Sequence, residues 1–178
     1  MTEELEEEDR RYDESAKIAR RTLSDAVIRR PIRRLESNPP LSVPAGAPVA
    51  QAIKAMYDGG VGCCLVTRPD GLIAGILSER DVMNKVFARG QNPASVKVDQ
   101  VMTPNPDALT LEDTVGTAMN KMALGGYRHV PLVDDHRKPV GILSVRTILR
   151  YLADYFPQDV INLPPHSDAD IGRARDGA

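Results

Sequence analysis

The sequence predicts an α/β (α+β) fold built from two similar β-α-β-β-α units. The first observation is an internal repeat: Gly75-Ile76-Leu77-Ser78 returns 66 residues later as Gly141-Ile142-Leu143-Ser144. Residues 49–83 align with 115–149 without a gap, and such a repeat indicates one supersecondary unit built twice. The positions identical in both copies, in first-copy numbers, are Val49, Ala52, Met56, Gly59, Gly60, Gly75, Ile76, Leu77, Ser78 and Arg80.

The second observation is the order of hydrophobic patterns in the first copy. Apolar residues of 48–57 share one helical face, and Gly59-Gly60 ends that helix. The apolar run 61–67 suits a buried strand, and Pro69 and Gly71 favour a turn after it. The predicted elements are a strand at 41–43, a helix at 48–57, a strand at 61–67, a strand at 72–77 and a helix from Ser78 to about Ala88.

The second copy repeats this order, with Gly125-Gly126 at the end of its first helix. Its predicted elements are a strand at 109–111, a helix at 114–124, strands at 127–133 and 139–143, and a helix from Ser144 to about Tyr155. The resulting division of the chain is an acidic tail with an Arg-rich helix at 1–36, repeat 1 at 37–95, repeat 2 at 96–156 and a Pro-rich polar tail at 157–178.

The third observation is a globular composition, with 42% hydrophobic and 27% charged residues. A net charge of −2 argues against a general nucleic-acid-binding protein, and the Arg-rich segment before Pro31 has no interleaved aromatics. No apolar run reaches the ~18–20 residues of a membrane span. Cys63 and Cys64 are adjacent, which predicts neither a disulfide framework nor a metal site. We therefore expect a cytoplasmic protein without a membrane partner.

Taken together, the repeat, the element order and the motif Gly-hydrophobic-hydrophobic-Ser-x-x-Asp at 75–81 give a chain that resembles a cystathionine-β-synthase (CBS) domain pair. Tyr127-Arg128-His129 is similar to the family's aromatic-Arg-His strand opening, and 101–104 to the segment that leads into a second unit. The resemblance covers about residues 37–156, and no catalytic domain accompanies them, as in a stand-alone pair. It implies that the repeats pack sheet to sheet with pseudo-twofold symmetry and leave two related clefts.

In the family, such clefts often take AMP, ADP or ATP, and sometimes S-adenosylmethionine or a dinucleotide. Carried over by position, the resemblance assigns one ligand site to Ser78, Arg80, Asp81, Arg128 and His129. The Asp would hold the ribose hydroxyls, the Ser would lie near ribose and phosphate, and the basic side chains of the other repeat would neutralise the phosphate.

The companion cleft departs from the family pattern. It would be formed by Gly62, Ser144, Arg146 and Thr147, with Cys63 beside Gly62. Thr147 replaces the ribose Asp, and no cation stands at the phosphate positions. The resemblance therefore implies one competent and one weaker or degenerate site.

Two of these assignments have a structural alternative. Ser78 and Asp81 also match a helix-capping box, which stabilises a helix N-terminus with or without a ligand. Arg128 and His129 are adjacent on a predicted strand, so we expect their side chains to face opposite sides. His129 is then either a ligand residue or a hydrogen-bonded structural histidine, whereas Arg128 suits bidentate phosphate contact.

The sequence thus predicts a regulatory module that senses an adenine nucleotide and acts on an unknown protein partner. The alternatives are an assembly module whose nucleotide clefts are vestigial, or a sensor of S-adenosylmethionine or a dinucleotide. An enzyme is disfavoured, because no acid/base pair, nucleophile or catalytic cofactor motif can be assembled. Val82, Met83, Val86 and Phe87 give one helix more apolar residues than a single packed side needs, which predicts a homodimer.

Overall fold

The computed structural model describes residues 25–155. The acidic block, most of the Arg-rich helix and the C-terminal tail therefore lie outside the described residues. The strands are β1 Ser42–Pro44, β2 Cys63–Thr67, β3 Ile73–Ser78, β4 Thr103–Pro104, β5 Leu109–Thr110, β6 His129–Val133 and β7 Pro139–Ser144. The helices are α1 Val49–Gly59, α2 Glu79–Lys85, α3 Val98–Val101, α4 Val115–Gly125 and α5 Val145–Tyr155, with 3-10 turns at Ile32–Arg34 and Phe87–Arg89.

The strands form two sheets, one for each repeat. The first has the order β1-β2-β3-β4 and the second β5-β6-β7. The first strand of each repeat pairs parallel with the second, and the second and third form an antiparallel hairpin. Both hairpins shift register one residue before their turn, between Val66 and Thr67 and between Leu132 and Val133. The repeat seen in the sequence is therefore a repeat of structure, as predicted.

The segment that leads into each repeat packs against the other repeat. β4 leads into repeat 2 but pairs with β3 of repeat 1, while Asn38 bridges Ile142 in β7 of repeat 2. Val49 N donates to the carbonyl of Val96 at 2.9 Å. The equivalent Val115 N donates to the carbonyl of Arg30, also at 2.9 Å. These matched contacts relate the two halves by pseudo-twofold symmetry and tie each repeat to its partner.

This exchange extends into the cores. Val98 and Val101 lie in the repeat 1 core, and Ile32 and Leu35 lie in the repeat 2 core. Ile32 is fully buried, although the sequence division groups it with the N-terminal segment. A third cluster joins Cys63 and Leu65 of β2 to Ile142 of β7, so the sheets pack face to face.

Gly75 and Gly141 occur in both copies because a neighbouring segment approaches each closely. A Cβ on Gly75 would lie 2.8 Å from the carbonyl oxygen of Thr103, and one on Gly141 would lie 3.1 Å from Ser37 Oγ. A side chain at Gly75 would separate β3 from β4. The repeated Gly-Ile-Leu-Ser motif is therefore partly a packing requirement of the fold.

One predicted helix is shorter in the structure. We expected it to run from Ser78 to about Ala88, but α2 ends at Lys85, and a 3-10 turn follows until Gly90 ends it in the left-handed conformation (φ +64°). Val86 is where the backbone leaves regular helical geometry, with φ −116° and ψ −66°. The side chain of Val86 remains fully buried, so packing holds this bend in place.

Candidate functional site: a cavity between the two repeats

A cavity of about 250 Å³ lies where the start of α2 meets the start of β6 and the connector between the repeats. All five residues of the predicted first site line it, so the fold brings together side chains that are about 50 positions apart. The lining residues are Ile76, Ser78, Arg80, Asp81, Thr103, Pro106, Asp107, Gly126, Tyr127, Arg128 and His129.

Ser78 and Asp81 form the capping box that the sequence predicts at the start of α2. Asp81 N donates to Ser78 Oγ at 3.3 Å, and Ser78 N donates to Asp81 Oδ2 at 3.0 Å. The hydroxyl of Ser78 also donates to Asp81 Oδ2, at 2.5 Å. Because both residues line the cavity as well, the structural and the ligand-binding interpretations are compatible at this position.

Lys85 holds the Asp81 carboxylate from the next turn of α2. Lys85 Nζ lies 2.7 Å from Asp81 Oδ1 and donates to the carbonyl of Val101 at 2.8 Å. Burial alone would raise the pKa of Asp81, but the hydrogen bonds from Lys85 and Ser78 and the charge of Lys85 hold it below its ordinary value. The cavity therefore presents an ionised carboxylate at neutral pH.

Arg128 and His129 both line the cavity, and the expectation that both lie on a strand is wrong for Arg128. β6 begins at His129, and Arg128 precedes it in the loop after α4, where strand alternation does not apply. Burial and the neighbouring Arg128 lower the pKa of His129, with Glu79 opposing them. The imidazole is neutral at pH 7, which leaves the guanidinium groups as the positive charges on this side.

Neither Arg80 nor Arg128 makes an ion pair with a residue of the described range 25–155. The carboxylates that line the cavity, by contrast, are each paired: Asp81 with Lys85, and Asp107 with Lys121. Guanidinium groups that have no ion-pair partner among the described residues, beside carboxylates that have one, are suited in charge to a phosphate.

The outer wall of the cavity contains residues that the site prediction missed. Tyr127 OH donates to Asp107 Oδ2 at 2.9 Å, and Lys121 Nζ lies 3.3 Å from Asp107 Oδ1. These contacts lower the pKa of Asp107, the hydrogen bond from Tyr127 contributing most. Thr103 belongs to the wall because β4 pairs with β3. In the sequence, the resemblance of 101–104 to an inter-repeat segment drew attention to this part of the chain, but it assigned none of these wall residues to the site.

The companion cleft has the same backbone frame with different side chains. Ser144 caps α5, accepting from Thr147 N at 3.1 Å, but Thr147 is 95% buried and carries no charge. Gly62 faces the Glu79 carboxylate, since a Cβ there would lie 3.1 Å from Glu79 Oε2. Arg146 is exposed. A carboxylate therefore lies beside Gly62, a position at which the family pattern would have a cation, and the same carboxylate also acts on His129 of the first cavity.

Other chemistry finds little support within residues 25–155. No group of three or more His, Cys, Asp or Glu side chains in that range is placed to hold a metal ion. Burial raises the pKa of Cys63 to about 12 and that of Cys64 to about 11, so both thiols stay protonated. No helix among the described residues is long and apolar enough to cross a membrane.

Comparisons with known proteins agree with this architecture. Among curated proteins, the CBS domain-containing protein CBSCBSPB3 of Arabidopsis thaliana is 34% identical over 106 residues, which are 60% of this chain and 19% of that protein. The mitochondrial CBSX3 of the same plant is 32% identical over 57% of this chain and 51% of its own length. The chain thus corresponds to between a fifth and a half of these relatives.

Solved structures match more completely. A CBS domain protein from Pyrobaculum aerophilum, complexed with AMP, has a TM-score of 0.63 and 26% identity over 70% of this chain and 99% of its own. The CBS domain of a membrane protein from Sphaerobacter thermophilus has a TM-score of 0.65 and 23% identity over 77% and 96%. The CBS domain family model matches residues 32–88 and 98–154. This chain belongs to the CBS domain family and contains two of its repeats.

Proposed function

We propose that the chain is a regulatory module that binds an adenine nucleotide in the cavity between its repeats and transmits the bound state to a protein partner. The cavity lining carries the proposal: an ionised Asp81 faces the same space as Arg80 and Arg128. A carboxylate suits ribose hydroxyls, and guanidinium groups suit phosphate. The AMP complex of the Pyrobaculum aerophilum relative supports AMP as the first ligand to test.

A thermal-shift screen tests this proposal. AMP, ADP, ATP, S-adenosylmethionine and NAD are each added to the full chain, with adenine and inorganic phosphate as controls. A ligand present at 100 times its Kd adds about 2.7 kcal/mol of apparent stability, which is roughly 5–10 °C in Tm for a domain of this size. We expect AMP to raise Tm more than adenine does, and we expect phosphate alone to leave Tm unchanged. No shift with any nucleotide would contradict the proposal.

A second candidate function, an assembly module without ligand, is favoured by the companion cleft. Thr147 and Gly62 lack the charges that a nucleotide requires, and Glu79 would repel its phosphate. The first cavity, by contrast, is lined by Asp81, Arg80 and Arg128, which offer a carboxylate and two guanidinium groups. These charges favour the sensor over the assembly module.

We also propose that the chain forms a homodimer through its helices. Met83 on α2 and Leu149 on α5 occupy equivalent positions in the two repeats and are 59% and 60% exposed. Phe87, in the 3-10 turn after α2, and Tyr57, near the end of α1, are further exposed aromatic side chains. A stable twofold contact covers at least ~1,200 Å² in total, and exposed apolar side chains on paired helices suit it.

Light scattering tests the dimer. We expect a dimeric mass at tens of micromolar for the full chain and a monomeric mass for the double variant Met83→Glu/Leu149→Glu. Lys138→Glu, a charge change at an exposed position in the turn between β6 and β7, is the control and should remain dimeric. A monomeric wild type with and without nucleotide would overturn the dimer while leaving the ligand proposal standing.

A further inference from the structure

Lys85 contacts the Asp81 carboxylate, which lines the cavity, although Lys85 is not itself part of the lining. Its Nζ atom lies 2.7 Å from Asp81 Oδ1 and 2.8 Å from the carbonyl oxygen of Val101, at the end of α3. We propose that Lys85 is a positioning residue, which orients the Asp81 carboxylate so that it can accept a ribose hydroxyl. This inference rests on the proposed function and assigns to Lys85 a part in ligand affinity.

The hydrogen bonds of Asp81 show why its orientation matters. Oδ2 accepts from both the backbone and the hydroxyl of Ser78, which uses its two lone-pair directions. Oδ1 accepts from Lys85, so one direction remains for a ligand. Lys85 also donates to the carbonyl of Val101, which restricts where its Nζ atom can lie. The free lone-pair direction of Asp81 Oδ1 therefore keeps one orientation relative to the connector between the repeats.

An ordinary ion pair between residues four apart on a helix is the competing explanation. The chain contains such a pair, Lys54–Asp58 on α1, at 2.6 Å. Its side chains are 76% and 55% exposed, whereas those of Lys85 and Asp81 are 34% and 18% exposed. Exposed pairs contribute little, but a partly buried lysine with a second, backbone acceptor has few alternative positions. The pair on α2 is therefore more restricted than the exposed pair on α1.

The second repeat supports the same assignment. The positions equivalent to Asp81 and Lys85 are Thr147 and Tyr151, which supply neither a carboxylate nor an amine. Tyr151 OH is buried and has no hydrogen-bond partner among the described residues. The cleft that contains Arg128 has both the carboxylate and the lysine, and the companion cleft has neither. This coincidence links Lys85 to the ligand site rather than to the fold, which both repeats share.

Titration calorimetry tests the inference with two nucleotides, AMP and 2′,3′-dideoxyadenosine monophosphate, which lacks both ribose hydroxyls. Lys85→Met removes the ammonium group and keeps the length of the side chain. We expect it to weaken AMP about tenfold, as loss of an oriented charge-assisted contact would. Dideoxy-AMP should bind the variant and the wild type equally. Lys85→Arg should restore AMP affinity to within about threefold, and Lys54→Met should bind as the wild type does.

A double-mutant cycle completes the test. If Lys85 acts through Asp81, then Asp81→Ala/Lys85→Met binds AMP no more weakly than Asp81→Ala alone. Unchanged AMP affinity in Lys85→Met, or an equal loss for AMP and dideoxy-AMP, would overturn the inference. Absence of AMP binding by the wild-type chain would contradict the proposed function itself, so the two failures are distinguishable.

Discussion

The two clefts of this molecule share a backbone and differ in charge. In the first, Arg128 lies opposite a capped α2, and its carbonyl accepts from Val145 N at 3.0 Å. In the companion, Gly62 takes the place of Arg128 and accepts from Glu79 N at 3.0 Å. The two backbone hydrogen bonds are therefore equivalent, but the residues that form them differ. Arg128 pairs with Val145 in the first cleft, and Gly62 pairs with Glu79 in the companion.

This difference separates the requirements of the fold from those of the ligand. Both repeats retain the Ser cap, the close-packed glycine before it and the left-handed glycine after the first helix, at Gly60 and Gly126. Only the first retains a carboxylate at the third position of the helix. A capping residue alone does not need that carboxylate, because Ser144 and Thr147 cap α5 without it. The cap that both repeats share therefore does not require this carboxylate, as the proposed nucleotide site would predict.

The largest expected effect comes from removing the carboxylate. Asp81→Ala should weaken AMP binding by roughly ten- to a hundredfold, because a hydrogen bond to a charged group contributes ~1.5–3 kcal/mol. Thr147→Ala, the matched change in the companion cleft, should leave AMP affinity unchanged. Calorimetry measures both. Equal affinities for wild type and Asp81→Ala would show that Asp81 only caps the helix, and the comparison between the clefts would fail.

Removing the arginine should distinguish ligands by their phosphate. Arg128→Ala should weaken AMP about tenfold or more and leave adenosine nearly unaffected, since only AMP carries the group that the guanidinium pairs with. Arg146→Ala, at an exposed position of the companion cleft, is the control and should change neither affinity. Parallel titrations with AMP and adenosine measure the effect. A similar loss for both ligands would place Arg128 in the scaffold.

Introducing the missing acid alone should not enable the companion cleft to bind a nucleotide. Thr147→Asp would bury a carboxylate beside Tyr151, where the first repeat has Lys85, and we expect a loss of ~1–3 kcal/mol in the free energy of unfolding. The double variant Thr147→Asp/Tyr151→Lys should recover part of that loss. Urea unfolding measures both. A stable Thr147→Asp chain that binds a second AMP would contradict the claim that the companion cleft lacks more than one of the groups needed to bind a nucleotide.

A smaller effect concerns acid stability. The pKa of folded Asp81 lies below its ordinary value of 3.8, so the folded chain binds fewer protons there than the unfolded chain does. The stabilisation is complete above the ordinary pKa and disappears as the pH falls through the lowered one. The Tm difference between wild type and Asp81→Asn should therefore be constant near neutrality and shrink below about pH 4. A difference that does not change with pH would exclude this ionisation as its source.

Much of the fold follows from the sequence because its signals are local. Hydrophobic periodicity and paired glycines predict α1, α4 and both hairpins, and the Ser-x-x-Asp run predicts the cap on α2. The burial of Ile32 in the core of the other repeat was not predicted, because it depends on how two distant segments cross. No local pattern encodes such a crossing.

The site shows the same division. Position in the repeated motif and resemblance to the family nominate Ser78, Arg80 and Asp81, and all three line the cavity. Asp107 was missed because its place in the wall depends on β4 pairing with the sheet of the other repeat and on contacts with Tyr127 and Lys121. Lys85 was not predicted because it lies outside the cavity lining and contacts the carbonyl of Val101, which only the folded chain brings within reach.

A crystal structure of the full chain grown with saturating AMP tests the central claim most directly. The account predicts one AMP per chain, with a ribose hydroxyl within hydrogen-bonding distance of Asp81 Oδ1 and the phosphate against Arg128. It also predicts that the companion cleft, between Thr147 and Gly62, holds no nucleotide. AMP bound in the companion cleft alone, or equally in both clefts, would contradict it.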